Sequence, residues 1–492
     1  MNNPEQSTWN NVREAFRKIW GYDNFRPPQG EIISCLLKGK DALIIMPTGG
    51  GKSICFQLPA LLKTGLTLVI SPLVALMENQ VQELRDRSLP TSLLHSQIPN
   101  SQKQKTLQAL QQNKLRLLYL SPETLFNKKV WNLLCQPQIK INGLILDEAH
   151  CLVQWGETFR PAYRRLGAVR SALIKSKTPS TKIAIAAFTA TADPQAQNII
   201  KKTLQLQNPQ PFLLSPYRNN LYLQIQKICT PRSRRQQLFK FIKTREKQAG
   251  LIYVRTRKDS ENLAEILRQK DYKTIAYHAG LSAEERRNIE KAWIGGEINF
   301  VVCTSAFGMG INKPDVRWVI HFQAPSLLSE YIQEVGRGGR DGKPAEALTL
   351  VSEPTGWLDP EDNQRQKFLV DKLRTQHQTA QKLIKQLPTT GNINAVTDEF
   401  PDAAIALSIL HSSGKLRWRD PFNYIINKSG TGKILSLDYN SGIQETNRYF
   451  TTSKCRWQFL LQAFGFSKEA QNMRCGHCDN CIRRGRGKIF NN

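Results

Sequence analysis

The chain has 492 residues, of which 40% are hydrophobic, and its 69 basic and 40 acidic residues give a net charge of +29. This length predicts two or three domains, and the hydrophobic content excludes an intrinsically disordered chain. The charge predicts an anionic partner, nucleic acid rather than membrane, because the apolar runs fall short of the roughly 20 residues of a membrane-spanning helix. The N-terminus lacks a secretion-signal layout, so we expect a cytoplasmic protein.

Two series of short apolar runs alternate with mixed segments suited to helices. The first comprises DALIIMP, LTLVISP, LRLLYLSP, GLILDEAH and KIAIAAFTATA, and the second GLIYVRT, KTIAYHAG, NFVVCTS and RWVIHF. Buried parallel strands read as continuous apolar runs, so the fold class is α/β with two parallel-sheet units. Residues 194–258 hold fourteen Lys or Arg and one acid. They predict a solvated linker face or a phosphate-facing hinge.

The apolar rhythm stops after about residue 355. Residues 362–387 predict a helix with an apolar stripe. The segment that follows has the helix, turn and short-strand pattern typical of a small winged-helix-like unit. Arg417, Trp418 and Arg419 would be its contacts to duplex DNA, and the alternative is a solvated strand with a packed Trp418.

The segment MPTGGGKS, residues 46–53, has the context of a phosphate-binding loop, since it follows an apolar strand and precedes a helix. The loop from Thr48 through Gly49, Gly50 and Gly51 would bring backbone N–H groups to phosphate oxygens. Lys52 would reach the β and γ phosphates, and Ser53 would hold Mg²⁺. Met46 departs from the strict pattern, which has glycine there, and a plain glycine-rich turn is the alternative.

Asp147 and Glu148 directly follow the run GLIL, which places them at the carboxyl end of a strand, where open α/β sheets bind ligands. One carboxylate would hold the Mg²⁺ shell, and the other would orient or deprotonate the attacking water. A helix cap is the alternative for such a pair.

Four of the ten cysteines cluster near the C-terminus: Cys455, Cys475, Cys478 and Cys481. Thiolates at this spacing suit tetrahedral Zn²⁺ in a closed structural site. A set of three cysteines and His477 is one alternative, and an iron–sulfur cluster is another. The other six cysteines are scattered beside apolar residues and are interpreted as core residues.

These motifs together resemble superfamily 2 helicases, and specifically the RecQ family of DNA helicases, over residues 12–352 and again at the cysteines. In WGYDNFRPPQ, the resemblance implies that Gln29 binds adenine while Tyr22 and Arg26 stack on it. SPLVALMENQ and SPETL resemble strand-contacting motifs. In FTATA, it implies that Thr189 and Thr191 link the ATP state to domain closure. The family's Cys₄ element favours zinc.

The second unit supplies QEVGRGGRDG, residues 333–342. Two arginines three apart, Arg337 and Arg340, can neutralise charge on a transferring phosphoryl group, and hydrolysis would need domain closure if they reach across a cleft to ATP. The resemblance also places Gln333 among the nucleotide-binding residues. Gly338 stands where the family commonly has alanine.

The segment CLVQWGETFRP, which follows the acid pair, resembles the family's aromatic-rich loop. The resemblance implies that this loop senses single-stranded DNA and relays its presence to the DEAH residues, including His150. Bases would stack on Trp155 or Phe159, and Arg160 would contact phosphate or a ring face. A core aromatic pair is the alternative. Glu157 and Thr158 replace the family's frequent His-Asp, which puts tight coupling of DNA to ATP in question.

We therefore expect an ATP-dependent DNA helicase that uses ATP, Mg²⁺ and Zn²⁺ and acts 3′ to 5′ on single-stranded and branched DNA in recombination and repair. We expect a monomer, away from membranes, with repair or single-strand-binding proteins as partners. The alternatives are an RNA helicase or remodeller, and a DNA-binding protein with a weak or uncoupled motor. The predicted domains are RecA-like domains at 1–206 and 207–355, a helical zinc-binding region at 356–387 and 446–484, a winged-helix-like insertion at 388–445 and a basic tail at 485–492.

Overall fold

The computed structural model describes residues 4–47, 49–154, 156, 159–178, 181–307, 313–353, 355–427 and 439–485. The chain forms two compact units. The first comprises Met1–Met46, Gly50–Leu214 and Thr375–Leu437, and the second comprises Pro47–Gly49, Ser215–Arg374 and Asp438–Asn492. The domain boundaries given above remain predictions.

The first unit contains a seven-stranded sheet of order β3-β4-β2-β5-β6-β1-β7, in which every pairing is parallel. Its strands are β1 (Ala42–Ile45), β2 (Leu66–Ile70), β3 (Thr91–Leu94), β4 (Leu117–Leu120), β5 (Ile141–Leu146), β6 (Ala184–Thr189) and β7 (Gln210–Leu213). The helices are α1 (Pro4–Trp20), α2 (Gln29–Leu37), α3 (Lys52–Leu62), α4 (Val74–Asp86), α5 (Asn100–Gln111), α6 (Pro122–Leu125), α7 (Lys128–Leu134), α8 (His150–Gln154), α9 (Val169–Lys175) and α10 (Pro194–Thr203), with a 3₁₀ helix at Pro161–Ala168.

The second unit contains a six-stranded, fully parallel sheet of order β10-β11-β9-β12-β13-β8. Its strands are β8 (Leu221–Ile228), β9 (Gly250–Tyr253), β10 (Thr274–Tyr277), β11 (Phe300–Cys303), β12 (Trp318–His321) and β13 (Ala345–Ser352). The helices between them are α11 (Pro231–Lys243), α12 (Arg257–Arg268), α13 (Ala283–Gly295) and α14 (Leu328–Val335).

The C-terminal third begins with the long helix α15 (Glu361–Ile384), which confirms the predicted helix at 362–387. It continues through β14 (Thr390–Asn392), α16 (Ile393–Glu399), α17 (Ala403–Ser412), β15 (Leu416–Trp418) and β16 (Asn423–Ile426). The three strands form an antiparallel sheet of order β14-β16-β15. A strand, two helices and a hairpin in this order match the winged-helix-like prediction over 388–427. The rest of the predicted insertion, up to residue 438, lies outside the described residues.

Four helices follow this unit: α18 (Tyr439–Thr451), α19 (Arg456–Ala463), α20 (Ser467–Ala470) and α21 (Asp479–Arg483). Helices α18, α19 and α21 contribute to one hydrophobic core with β8 and α14, and this core includes Trp457, Leu460, Leu223 and Tyr331. The helical cysteine region is therefore built onto the second unit. The described part of the predicted basic tail ends at residue 485.

Both sheets follow from the apolar runs, because strands β1, β2 and β4 are buried along their whole length and need helices on both faces. Residues 194–258 are not one continuous linker, because the stretch contains α10, β7, β8, α11 and β9. The change from the first unit to the second, at Leu214 and Ser215, lies within it, and the phosphate-facing hinge stays a prediction. Arg234, in its middle, is fully buried and donates to Asp359 at 2.6 Å. Basic residues of this stretch therefore lie in the core as well as on the surface. Within the described chain, no helix has the length and hydropathy needed to cross a bilayer.

Candidate nucleotide, DNA and metal sites

The glycine-rich loop joins β1 to α3 at the carboxyl end of the first sheet. Met46 N donates to Thr189 O at 2.9 Å, which ties the loop to β6. Gly51 has a φ of +76°, and a Cβ atom there would lie 2.3 Å from Gln29 Nε2. Both the left-handed backbone and this close approach require glycine. Thr48 lies outside the described residues, and Gly49 and Gly50 precede the turn.

Lys52 is the first residue of α3, and Ser53 follows it. The Lys52 Nζ atom is buried and has no hydrogen-bond partner among the described residues. A buried ammonium without a partner costs free energy, so such a group fits a site whose anionic ligand provides the missing contacts. The N–H groups at the start of α3 favour the same kind of ligand. These features fit the phosphates of ATP.

Gln29 connects the predicted adenine-reading segment to the phosphate loop. Its Oε1 accepts a hydrogen bond from Arg26 N at 2.9 Å, and its Nε2 donates to Gly50 O at 3.0 Å. Tyr22 is 54% exposed, and Arg26 is also exposed, so both side chains are accessible for stacking on a base. The structure therefore brings Gln29 to the loop and leaves the two stacking candidates at the surface.

The acid pair lies at the end of β5. Asp147 is 4% exposed, and its Oδ1 accepts from Glu148 N at 3.0 Å. Burial and the neighbouring Glu148 carboxylate raise the pKa of Asp147, and Lys52 opposes that rise. Glu148 has a φ of +50°, a left-handed conformation that is unfavourable for a non-glycine residue. Backbone strain of this kind is typical of functional sites.

A chain of contacts runs from the acid pair to β6. Glu148 Oε2 lies 3.2 Å from His150 Nδ1, and His150 Nδ1 lies 3.0 Å from Thr189 Oγ1. Thr189 Oγ1 accepts from Thr191 N at 3.2 Å and donates to Thr191 O at 3.1 Å. The structure thus brings together all three residues predicted for coupling, His150, Thr189 and Thr191, beside the acid pair.

The aromatic-rich loop is described at Gly156, Phe159 and Arg160, whereas Trp155, Glu157 and Thr158 lie outside the described residues. Phe159 is 71% exposed, as a base-stacking residue needs to be. The Arg160 side chain contacts other residues of the protein, which a side chain that serves only to bind phosphate would not need to do. Its guanidinium donates to Pro72 O, and its Nε lies 3.5 Å from Glu123 Oε1. It therefore joins the loop to the two segments that resemble strand-contacting motifs.

Gln80 is a site residue that the sequence interpretation missed. It lies on the buried face of α4, and its Nε2 donates to Asp147 Oδ2 at 3.2 Å. That bond holds the carboxylate whose other oxygen is fixed by the Glu148 N–H group. The available signal was a glutamine within an otherwise apolar stripe of Leu76, Met77, Val81 and Leu84.

In the second unit, Arg337 and Arg340 follow the end of α14. Arg337 is 8% exposed, and Gln333 is half-buried one turn earlier. Gly339 has a φ of +56°, and its carbonyl accepts from Asn220 Nδ2 at 2.8 Å. A Cβ atom on Gly339 would lie 2.5 Å from Lys343 O, so the loop between the two arginines requires glycine. A Cβ on Gly338 would be only 3.2 Å from Ala345 Cβ.

An ion-pair cluster supports this loop from α14. Arg255 binds Glu334 in bidentate fashion at 3.0 and 2.8 Å, and His321 Nε2 lies 2.9 Å from Glu334 Oε2. Burial opposes ionisation of this carboxyl, but Arg255 and His321 outweigh it and hold the pKa of Glu334 at about 2. The carboxylate is thus ionised and fixed two residues before the arginine-bearing turn.

The four C-terminal cysteines converge. The Sγ atoms of Cys455, Cys475, Cys478 and Cys481 all lie within 4.8 Å of one another. The Cys475–Cys481 and Cys455–Cys478 pairs are 3.9 and 4.0 Å apart. Tetrahedral Zn²⁺ with bonds of about 2.3 Å separates its sulfurs by about 3.8 Å, so these thiols fit that ion.

Backbone N–H groups point at the sulfurs, as thiolate ligands favour. Arg456 N and Cys475 N each donate to a cysteine Sγ at 3.4 Å, and Cys478 N does so at 3.3 Å. His477 is outside the converging set, since its Nδ1 lies 2.7 Å from Cys475 O. Asp479 pairs with Arg456 at 2.8 Å and accepts from Ile225 N at 3.1 Å, which fastens the cluster to β8.

Three stretches match known protein families. They are the DEAD/DEAH box helicase family at residues 26–199, the helicase conserved C-terminal domain at 233–342 and the RecQ zinc-binding family at 424–482. The zinc-binding match and the converging thiols together confirm the predicted zinc element.

Two curated relatives are similar to most of this chain. The chain is 53% identical to an ATP-dependent DNA helicase RecQ of Synechocystis sp. over 471 residues, which cover 96% of this chain and 98% of that one. It is 39% identical to the ATP-dependent DNA helicase RecQ of Pasteurella multocida over 361 residues, which cover 72% of this chain. That match spans 55% of the Pasteurella protein, about half its length.

Among solved structures, the Mycobacterium smegmatis helicase Lhr bound to single-stranded DNA and AMP-PNP has a TM-score of 0.56 at 19% identity, covering 90% of this chain and 61% of that one. S. cerevisiae Dbp5 bound to RNA and ADP BeF3 also has a TM-score of 0.56, at 17% identity, covering 71% of this chain and 90% of that one. At such identities the likeness concerns the helicase fold alone. The nearly full-length match to the Synechocystis protein establishes the family: the chain belongs to the RecQ family of ATP-dependent DNA helicases.

Proposed function

We propose that this chain couples ATP hydrolysis by Lys52, Asp147 and Glu148 to movement along single-stranded DNA and to separation of duplex strands. The observation that carries the proposal is the buried Lys52 ammonium, which has no hydrogen-bond partner among the described residues and belongs to the same sheet edge as a pair of carboxylates. A phosphate-binding cation beside two acids is the set that phosphoryl transfer to water requires.

Each residue has a separate task in the hydrolysis step. Glu148 accepts a proton from the attacking water while the bond between the γ-phosphorus and its bridging oxygen breaks. Lys52 and the loop N–H groups neutralise the phosphate charge that develops. Ser53 and Asp147 would hold Mg²⁺, which would add positive charge beside the phosphates. Arg337 and Arg340 are proposed to neutralise the same charge, and Gln333 to assist in nucleotide binding.

Coupling to DNA is proposed to use the aromatic-rich loop. Exposed Phe159 stacks on a base, and α8 connects the loop directly to His150 and the acid pair. Arg160 sets the loop against the motif segments near Pro72 and Glu123. By family membership we also propose 3′ to 5′ movement, a role in recombination and repair, action as a monomer, a cytoplasmic location on DNA, and repair or single-strand-binding proteins as partners.

A substitution at Phe159 tests this proposal. Phe159→Ala should weaken binding of a single-stranded oligonucleotide by about 1–3 kcal/mol and reduce strand separation, because one stacking surface is lost. Phe368→Ala is the matched control, since Phe368 on α15 is 70% exposed and outside the loop. Equal effects of the two substitutions would contradict the loop's role in DNA binding.

A further inference from the structure

The charge of the winged-helix-like unit at residues 388–427 is unfavourable for binding DNA phosphates. It carries three basic residues, Lys415, Arg417 and Arg419, against four acidic ones, Asp398, Glu399, Asp402 and Asp420. Its charge is thus −1 in a chain of +29. Trp418, a proposed DNA contact, is 6% exposed and packs against Tyr424 in the unit's own core. The unit therefore calls for a different role.

One contact joins this unit to the aromatic-rich loop. Ser408 on α17 is 1% exposed, and its Oγ donates to Gly156 O at 2.5 Å. Gly156 is closely surrounded by other residues, because a Cβ atom there would lie 2.2 Å from Leu152 O and 3.3 Å from Arg164 Nε. A buried hydroxyl thus fixes the backbone carbonyl of a residue inside the proposed DNA-sensing segment.

A second set of contacts joins the unit to residues beside α6 and to Arg165, which follows the loop. Phe422, in the turn of the β15–β16 hairpin, packs edge-on against Phe126 and Trp131, with ring centroids 6.2 and 5.6 Å apart. Arg165 Nη1 donates to Pro421 O at 3.2 Å, and its guanidinium lies 4.3 Å from the Phe126 ring centroid. Phe126 directly follows α6.

Helix α6 itself contacts the loop. It carries Glu123, which pairs with Arg160 at 3.5 Å. The unit therefore contacts the loop directly at Gly156 and, through α6, supports the segment that holds Arg160. Both contacts lie within the first unit of the chain.

We propose that the unit at 388–427 is a positioning element for the aromatic-rich loop, and that Ser408 is the positioning residue that sets how readily DNA activates ATP hydrolysis. The inference rests on the proposed role of the loop as the DNA sensor. With the Ser408 hydroxyl in place, Gly156 is held and the loop meets DNA in one arrangement. Without it, DNA binding must also order the loop, which weakens activation by DNA.

The test compares Ser408→Ala with Ser412→Ala in the full chain. Ser412 lies one turn further along α17, and its Oγ donates to Ser408 O within the helix at 3.1 Å, so it is a matched control. ATP hydrolysis is titrated with single-stranded oligothymidylate. Ser408→Ala should raise the DNA concentration for half-maximal stimulation about two- to tenfold, the factor for one net hydrogen bond, and leave the rate without DNA unchanged. Ser412→Ala should match the wild type.

A conservative variant and a second contact separate positioning from folding. Ser408→Thr, which keeps the hydroxyl, should restore most of the response. Phe422→Leu should shift the half-maximal concentration in the same direction as Ser408→Ala. The inference would be overturned if Ser408→Ala lowered the rates with and without DNA by the same factor, or left the titration unchanged. In either case, stimulation of the wild type by DNA would still support the proposed function. An absence of stimulation in the wild type would overturn both.

Discussion

His150 Nδ1 lies 3.0 Å from Thr189 Oγ1 and 3.2 Å from Glu148 Oε2, so one imidazole contacts both the acid pair and the end of β6. His150 also begins α8, which leads into the aromatic-rich loop. This single ring is therefore placed to connect three segments that the proposed mechanism needs to act together.

The contact predicts a specific defect for Thr189→Val. Valine keeps the shape of threonine but lacks the hydroxyl that meets His150 and both backbone groups of Thr191. Nucleotide binding should persist while DNA-stimulated hydrolysis falls by roughly tenfold or more, since each hydrogen bond contributes about 1 kcal/mol. Thr106→Val is the control, because Thr106 is equally buried and its hydroxyl meets Ser92 Oγ at 2.8 Å. Steady-state rates of the two variants would be compared, and a similar loss in both would contradict coupling through His150.

Lys52→Met should separate activity from stability. Hydrolysis should fall by about 10²–10³-fold, as it does when a preorganised charge-stabilising group is lost. The melting temperature should stay the same or rise, because the substitution removes a buried ammonium that has no hydrogen-bond partner in the described part of the chain. Lys63→Met, at the other end of α3, removes a lysine that donates to Leu36 O at 3.1 Å and should leave hydrolysis intact. A marked drop in the melting temperature of Lys52→Met would contradict the assignment.

Zinc should be structural. Cys478→Ser, or removal of metal by a chelator, should lower the melting temperature and abolish the zinc signal in elemental analysis, since metal binding and folding are coupled in such sites. Cys229→Ser is the control, because Cys229 is exposed and lies outside the converging thiols. Iron and visible absorbance in place of zinc would instead favour an iron–sulfur cluster.

The ion pair at Glu334 predicts a pH dependence. The pKa of Glu334 is about 2 in the folded protein, below its ordinary value of 4.5, so its stabilisation is fully present above pH 4.5 and is lost as the pH falls from there towards 2. The shift corresponds to about 3 kcal/mol. Glu334→Gln should destabilise the protein at pH 7, and its free energy of unfolding should fall less steeply than that of the wild type as the pH is lowered. Glu265→Gln, which alters an exposed pair with Arg268, should do neither, as urea titrations between pH 7 and 2 would show.

The sequence predicted the parts of the fold that depend on local pattern. All nine apolar runs are strands, from β1 to β12, and all of these strands except β10 are almost wholly buried, as strands covered on both faces are. Strands β3, β7, β8 and β13 were missed. The run TSLL of β3 is short and half polar, β7 is largely exposed, and β8 alternates buried and half-buried residues within the basic stretch that was interpreted as a linker.

The candidate site was predictable where motifs fix the chemistry and not where distant contacts do. Lys52 and Asp147 follow from motifs that directly succeed apolar strands, and the four cysteines follow from their spacing. The hydrogen bond of Ser408 to Gly156 joins residues 252 positions apart, and that of Gln80 to Asp147 spans 67. The sequence assigned neither hydrogen bond, because each joins residues far apart in the chain and becomes visible only in the folded structure.

The most direct test of the account is steady-state ATP hydrolysis by the full chain with and without single-stranded DNA, with an equal amount of RNA as the comparison. Strong stimulation by DNA alone is the predicted result, because the loop that carries Phe159 leads through α8 to the acid pair. A rate that is the same with and without DNA, or that RNA raises equally, would contradict a DNA-coupled motor and favour a binding protein or an RNA helicase.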